Sequence, residues 1–188
     1  MNRIRGTLVS LTGLHVFISL GSISYALSGN IETIYTDKIV QQNLLANPDS
    51  TVVLKLIKDL YSGKGADKDM CCSNIVFRDP VAICEGIEEV CEAFRALKVM
   101  SPTLIEDPKL MYINDSNNNQ FIEVKTKYTI IKSFSVHSIC VVETDKEGKV
   151  LSIEERWNSI PLLNFPPFTW AKRINGIVSY AITRLLIK

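Results

Sequence analysis

The chain has 188 residues, enough for one domain with a substantial apolar core and too few for two comfortable ones. Apolar residues make up 46% and charged residues 22%, which excludes an intrinsically disordered chain. The 21 basic and 20 acidic side chains leave a net charge of +1 and no basic block stands out, which argues against nucleic acid as a partner.

In chain order, residues 1–31 contain no acid. Arg3 and Arg5 precede an uncharged stretch over residues 7–27 that is softened by serine, threonine and glycine. Residues 1–30 therefore read as a hydrophobic targeting or anchor segment, and four readings compete. A secretory signal would use the two arginines as its n-region and Ser24-x-Ala26 as its cleavage site. A membrane anchor needs about 20 apolar residues, a length reached here only by counting polar ones. A mitochondrial presequence is also Ser-rich and acid-poor. The fourth reading is a helix packed on the outside of the domain, compatible with a cytoplasmic protein. Membrane association or the secretory pathway is the expectation we carry forward, and the Asn114-Asp115-Ser116 sequon is compatible with it.

Residues 31–49 read as a linker and residues 50–163 as the domain. Asn47-Pro48-Asp49-Ser50 opens a helix with Val53, Leu56, Ile57 and Leu60 on one face, ended by Ser62-Gly63. Ile75-Val76-Phe77 reads as a strand. After Gly86 a second helix carries Ile87, Val90, Cys91, Phe94 and Leu97, with Glu88 and Glu89 in its first turn, where carboxylates suit the helix dipole.

From Leu104 the period changes. Residues 110–113 are a short strand candidate, closed by the turn-rich 114–119. Ile122, Val124, Thr126, Tyr128 and Ile130 alternate with Glu123, Lys125 and Lys127, a half-buried antiparallel strand. Residues 136–144 and 150–157 form a hairpin around Asp145-Lys146-Glu147-Gly148. Helices first and a meander afterwards give an α+β fold. Residues 164–188 follow Pro161 as an amphipathic helix, with Trp170, Ile174, Ile177, Val178, Ile182 and Leu185 on one stripe. That stripe is expected to dock on the sheet or on a second copy; the alternative is a helix lying on a membrane.

Five cysteines (Cys71, Cys72, Cys84, Cys91 and Cys140) have no disulfide or zinc spacing, so most read as small buried hydrophobes and no metal is expected.

The strand ending Phe77-Arg78-Asp79-Pro80, Gly86 opening a helix, and a final hairpin with Asp145-x-x-Gly148 and Glu155-Arg156-Trp157 resemble the SnoaL-like and ketosteroid-isomerase-like branch of the NTF2-like superfamily. The tail around Arg173-Ile174-Asn175-Gly176 is similar to that of uncharacterised eukaryotic members. The resemblance spans residues 50–163 and implies a curved antiparallel sheet packed on the N-terminal helices, enclosing a cone-shaped apolar pocket without a cofactor. In ketosteroid isomerases the Asp of an Asp-Pro pair here shuttles a proton beside a carbonyl, and Asp79 holds that position. Partial desolvation would suit it as a general base. The resemblance makes Trp157 a pocket wall, with Phe77, Phe94, Tyr128, Cys140 and Glu155 as further pocket residues.

The rest of that machinery does not carry over. Cys140 takes the place of the acidic donor, and the tyrosine position falls near Lys55–Leu56, with Tyr61 closer to the helix end. An Asp before Pro also commonly bonds backbone amides and shapes a turn. His137 falls opposite Cys140, on the convex face, and Arg156 is expected to pair across strands with Glu123 or Glu143. Two functions follow: a binding module holding a hydrophobic small molecule, or a cofactor-independent isomerase, lyase or cyclase using Asp79. A dimerisation scaffold, with the pocket plugged by Trp157, Phe77 and Phe94, is the third. The partners expected are a hydrophobic small molecule, a second copy of the chain, and a membrane contacted through residues 7–27 or 170–187.

Overall fold

The computed structural model describes residues 15, 17–28, 49–114, 119–129 and 133–186. Arg3 and Arg5, nearly all of the 31–49 linker, Lys188 and the last two residues of the sequon lie outside the described residues.

Helix α1 (residues 17–27) is followed, within the domain, by α2 (Asp49–Tyr61), β1 (Cys71–Arg78), β2 (Ile83–Glu85) and α3 (Ile87–Ala96). Then come β3 (Thr103–Leu104), β4 (Lys109–Asn114), β5 (Asn119–Thr129), β6 (Ser133–Thr144), β7 (Val150–Trp157) and α4 (Phe168–Leu186). One seven-stranded sheet runs in the order β2-β1-β7-β6-β5-β3, with β4 also paired to β5. All pairings are antiparallel except β1 with β7. This is the expected α+β architecture of a curved open sheet with a C-terminal helix.

The core explains the shape. Val53, Leu56, Ile57 and Leu60 of α2 and Val90 and Phe94 of α3 are buried against Ile75, Ile122, Val124, Cys140, Val142 and Ile153 of the sheet. Period 3.6 on the helices meets period 2 on the strands, so each element commits one face to the same interior. The strands carry opposite chemistry on the outer face. In the β5–β6–β7 register, Ile122, Cys140 and Glu155 share the inner face, while Glu123, Ile139 and Arg156 share the outer one. Gly86, at φ 85°, turns the chain from β2 into α3, a conformation that costs a residue with a Cβ.

The two flanking helices correct one expectation. The apolar stripe of α4 does not dock on the sheet: Trp170, Ile174, Ile177, Val178, Ile182 and Leu185 are exposed. The opposite face docks on α3 and β2, through Ala171, Lys172, Gly176 and Thr183. A Cβ on Gly176 would lie 2.0 Å from the carbonyl oxygen of Ile83, so backbone approaches backbone there. Helix α1 lies against this layer through small and polar groups. Ser22 Oγ donates to the carbonyl of Pro80 at 2.7 Å, and Asn175 Nδ2 donates to Val81 O at 2.8 Å and Ser19 Oγ at 3.2 Å. His15 Nε2 lies 2.8 Å from Asn175 Oδ1. The described part of the N-terminal segment is thus a helix packed on the outside of the domain. Among the described residues, no helix is long and apolar enough to cross a membrane.

Candidate functional site

The inner face becomes polar where it leaves the helices. At the closed end, Phe77 and Phe94 meet edge to face at 4.8 Å, and Tyr61 meets Phe94 at 5.4 Å. Strand alternation then brings Cys140, Ser138, Glu155 and Trp157 to one patch, because Cys140 pairs with Glu155 and Ser138 with Trp157 across β6–β7. Ser138 Oγ donates to Glu155 Oε1 at 2.5 Å, and both residues are buried. Tyr61 Oη lies 3.5 Å from Cys140 Sγ.

Glu155 is 4% exposed. Burial, and next the charge of Asp79, push its carboxyl up to about 7; the Ser138 and Tyr61 hydroxyls and the Trp157 indole pull the other way. Trp157 Nε1 is itself buried and faces that carboxyl, yet it makes no hydrogen bond of ordinary geometry among the described residues. Tyr128 is buried, its ring stacked on Phe134 at 5.4 Å, and burial followed by the charges of Glu155 and Asp79 holds its hydroxyl firmly protonated. Burial likewise raises the Tyr61 hydroxyl and the Cys140 thiol.

Asp79 lies in the turn after β1, and its charge reaches Glu155. The residue keeps some surface at the rim, while its carboxyl is enclosed by protein. Its Oδ1 accepts from the amides of Val81 (2.6 Å) and Ala82 (2.5 Å), so one oxygen caps the turn after β1. Burial raises this carboxyl to about 6 against the opposing pull of those amides and of Lys172. Asp79 and Glu155 therefore form a desolvated acidic pair, each within the field of the other.

Of the seven expected site residues, Phe77, Tyr128, Cys140, Glu155 and Trp157 lie on the inner face of the sheet, Phe94 lies on α3 against Phe77, and Asp79 lies in the turn after β1. Two neighbours are absent from the expected set. Ser138 lies two residues before Cys140 on the same face. Lys172 lies on the inward side of α4, 1% exposed, with Nζ 3.4 Å from Asn164 Oδ1. Burial lowers its pKa while Asp79 and Glu154 raise it. Tyr61, near the end of α2, is the tyrosine that reaches Cys140, whereas Leu56 is core.

The outer face behaves differently. His137 Nε2 bonds Glu123 Oε1 at 2.6 Å on the convex side. Arg156 pairs with Glu154 on its own strand at 2.7 Å rather than across to Glu123 or Glu143. Glu123 is held by His137 and Lys125, and Glu143 accepts from Ser152.

No protein-family model matches the sequence. No curated protein matches it either. Solved structures are similar in shape. A hypothetical protein with a ketosteroid isomerase-like fold from Catenulispora acidiphila, in complex with trimethylamine, is 14% identical, with a TM-score of 0.43 over 55% of this chain and 82% of that one. An NTF2-like protein of unknown function from Cytophaga hutchinsonii is 15% identical, with a TM-score of 0.43 over 60% of this chain and 91% of its own. A Silicibacter pomeroyi protein with a cystatin-like fold is 8% identical, with a TM-score of 0.41 over 74% of this chain and 87% of its own.

Proposed function

We propose that the chain binds a small, largely apolar molecule carrying one polar group, seated at the mouth of the cone against Trp157 and Tyr128. The observation that carries this reading is the convergence of the buried Glu155 carboxyl, the Ser138 hydroxyl and the Trp157 indole Nε1 on one patch of the inner face. A few convergent polar groups in apolar surroundings can orient the polar group of a ligand. Glu155, held near neutrality, can donate or accept according to its protonation, so the polar group of the ligand is bound by at least two convergent groups. Phe77 and Phe94 close the apolar end.

Native mass spectrometry of the gently purified chain tests it. A co-purifying molecule whose occupancy falls about tenfold in Glu155→Gln and in Trp157→Phe supports the reading, since each change removes about one hydrogen bond to the ligand. A molecule retained equally by both variants, or no bound molecule and no thermal shift with apolar carbonyl and alcohol probes, overturns it.

A second reading is supported by Asp79, a carboxyl at the mouth raised to about 6, in the range that suits a general base near neutral pH. In it, Asp79 takes a proton from the carbon beside a carbonyl of the ligand and returns it. The two amides on Oδ1 weigh against it by lowering basicity. Deuterium uptake from heavy water into a bound carbonyl compound, lost in Asp79→Asn while binding persists, would favour this reading over simple binding.

A further inference from the structure

We propose that Ser22 of α1 and Asn175 and Lys172 of α4 are positioning residues for the Asp79 carboxyl, a role that rests on reading Asp79 as a working group of this site. Both helices lie outside residues 50–163, so the family resemblance does not supply them.

The first observation is which peptide groups the two helices hold. Residues 79–83 turn β1 into β2, and Asp79 Oδ1 accepts from the amides of Val81 at 2.6 Å and Ala82 at 2.5 Å. The Val81 amide shares a planar peptide unit with the carbonyl of Pro80, and the Ala82 amide shares one with the carbonyl of Val81. Those two carbonyls are the ones bonded from outside. Ser22 Oγ donates to Pro80 O at 2.7 Å, and Asn175 Nδ2 donates to Val81 O at 2.8 Å. Each helix thus grips one of the two peptides that hold the acid. A bond to the oxygen of a peptide fixes its plane and polarises its N–H, which strengthens the bond that N–H makes. Arg173 Nη1 reaches the carbonyl of Ile83 at 3.4 Å, beyond both of these peptides.

The second observation is charge. Around Asp79 stand Glu155 of β7, Tyr128 of β5, Cys84 of β2 and Lys172 of α4. Lys172 is the cation of this group, and Arg78, next to Asp79 in β1, bears on Lys172 in turn. The Lys172 ammonium is buried beside a neutral amide oxygen, that of Asn164, and its charge acts across space on Asp79. Burial raises the Asp79 carboxyl, while the two amides and Lys172 favour its ionised form. All three of those opposing influences are held by α1 or α4. Removing any of them should therefore favour the protonated acid.

The test is the titration of Asp79 in the folded chain, followed by carbon NMR of carboxyl-labelled aspartate and assigned with Asp79→Asn. Ser22→Ala and Asn175→Ala each delete one bond to a peptide oxygen, and Lys172→Met removes the charge while keeping a long side chain. Each should raise the midpoint, by about twofold or more in proton affinity. Arg173→Ala loosens the same helix without touching either peptide and should leave the midpoint in place. Circular dichroism checks folding, and the two alanine variants decide the matter if Lys172→Met does not fold. Deuterium uptake from heavy water into cyclohexanone reports separately on Asp79 as a base. Midpoints that rise as described without any uptake uphold the positioning role and remove the base reading. Unmoved midpoints in both alanine variants, or an equal rise in Arg173→Ala, overturn the positioning role even where uptake is seen.

Discussion

The two faces of the sheet use the same residue types to opposite effect. On the outer side Glu106, shared between Lys109 and Lys125, is pulled down to about 2 by their hydrogen bonds and charges. On the inner side Glu155 sits with Ser138, Tyr61 and a second carboxyl and is pushed up to about 7. Glu155 lies in β7 and Glu106 in the loop between β3 and β4; surroundings decide the difference. Outside, cations arrive at low desolvation cost and the charged form wins. Inside, the apolar helices remove water and supply no cation to Glu155, so the neutral form gains. The outer face is built for solubility and the inner face keeps a proton available, which is what a binding or proton-handling site needs.

The sharpest way to break that contrast is to remove an aromatic ring from each face. Phe94→Ala deletes a fully buried ring touching Tyr61 and Phe77 and should cost about 3–5 kcal/mol in urea unfolding. Phe121→Ala removes a half-buried ring stacked at 4.1 Å on Tyr112 outside and should cost about 1 kcal/mol. Equal losses would mean that the outer face carries as much of the fold as the inner one.

The next effect is on pH. In the unfolded chain both carboxyls titrate near 4, and in the folded chain near 6 for Asp79 and 7 for Glu155. Between these limits the folded state holds more protons than the unfolded one. Stability is therefore highest at the acid end of that window and falls as pH rises through it, by a few kcal/mol. Urea midpoints at pH 5 and pH 8 measure the fall, and Glu155→Gln should flatten it. Glu106 has the opposite sign: its lowered pKa adds stability above the usual carboxylate range that is lost as pH falls towards 2, so Glu106→Gln should leave the interval from 5 to 8 unchanged.

The sequence made the inner face legible because two periods repeat long enough to be read. Val53, Leu56, Ile57 and Leu60 place α2, and the alternation from Ile122 to Tyr128 places both faces of β5. The same alternation puts Glu155 and Trp157 together. Strands β2 and β3, of three and two residues, are too short to show a period. They form because longer partners, β1 and β5, offer their edges. Helix α4 was legible as a helix and not in its orientation. A stripe of isoleucines normally marks the buried side, and here Gly176 decides otherwise by letting the backbone of α4 touch β2. Lys172 stayed hidden for the same reason, since it lies on the face the stripe leaves free. Ser138 was missed because a serine in a strand carries no signal until its partner, Glu155, is known to be buried.

The remaining effects are smaller and test whether charge pairs matter more where helices are joined than on the rim. Arg173 forks onto both oxygens of Glu89 at 2.7 and 3.0 Å and reaches Glu85 at 3.2 Å, tying α4 to α3 and β2. Arg173→Ala removes a bidentate, partly buried contact and should cost about 1–2 kcal/mol. The pair Lys58–Asp107 at 2.7 Å has equally good geometry, but its side chains are 47% and 74% exposed. Water and salt screen it, and holding two long side chains costs conformational entropy, so Asp107→Asn should change stability by less than about 0.5 kcal/mol. Urea unfolding of the two variants at low and high salt separates the cases. The Arg173 loss should persist in salt because a half-buried fork is poorly screened, whereas any Asp107 effect should vanish. A loss at Asp107 as large as that at Arg173 would mean that distance alone, and not burial, sets the strength of charge pairs in this chain.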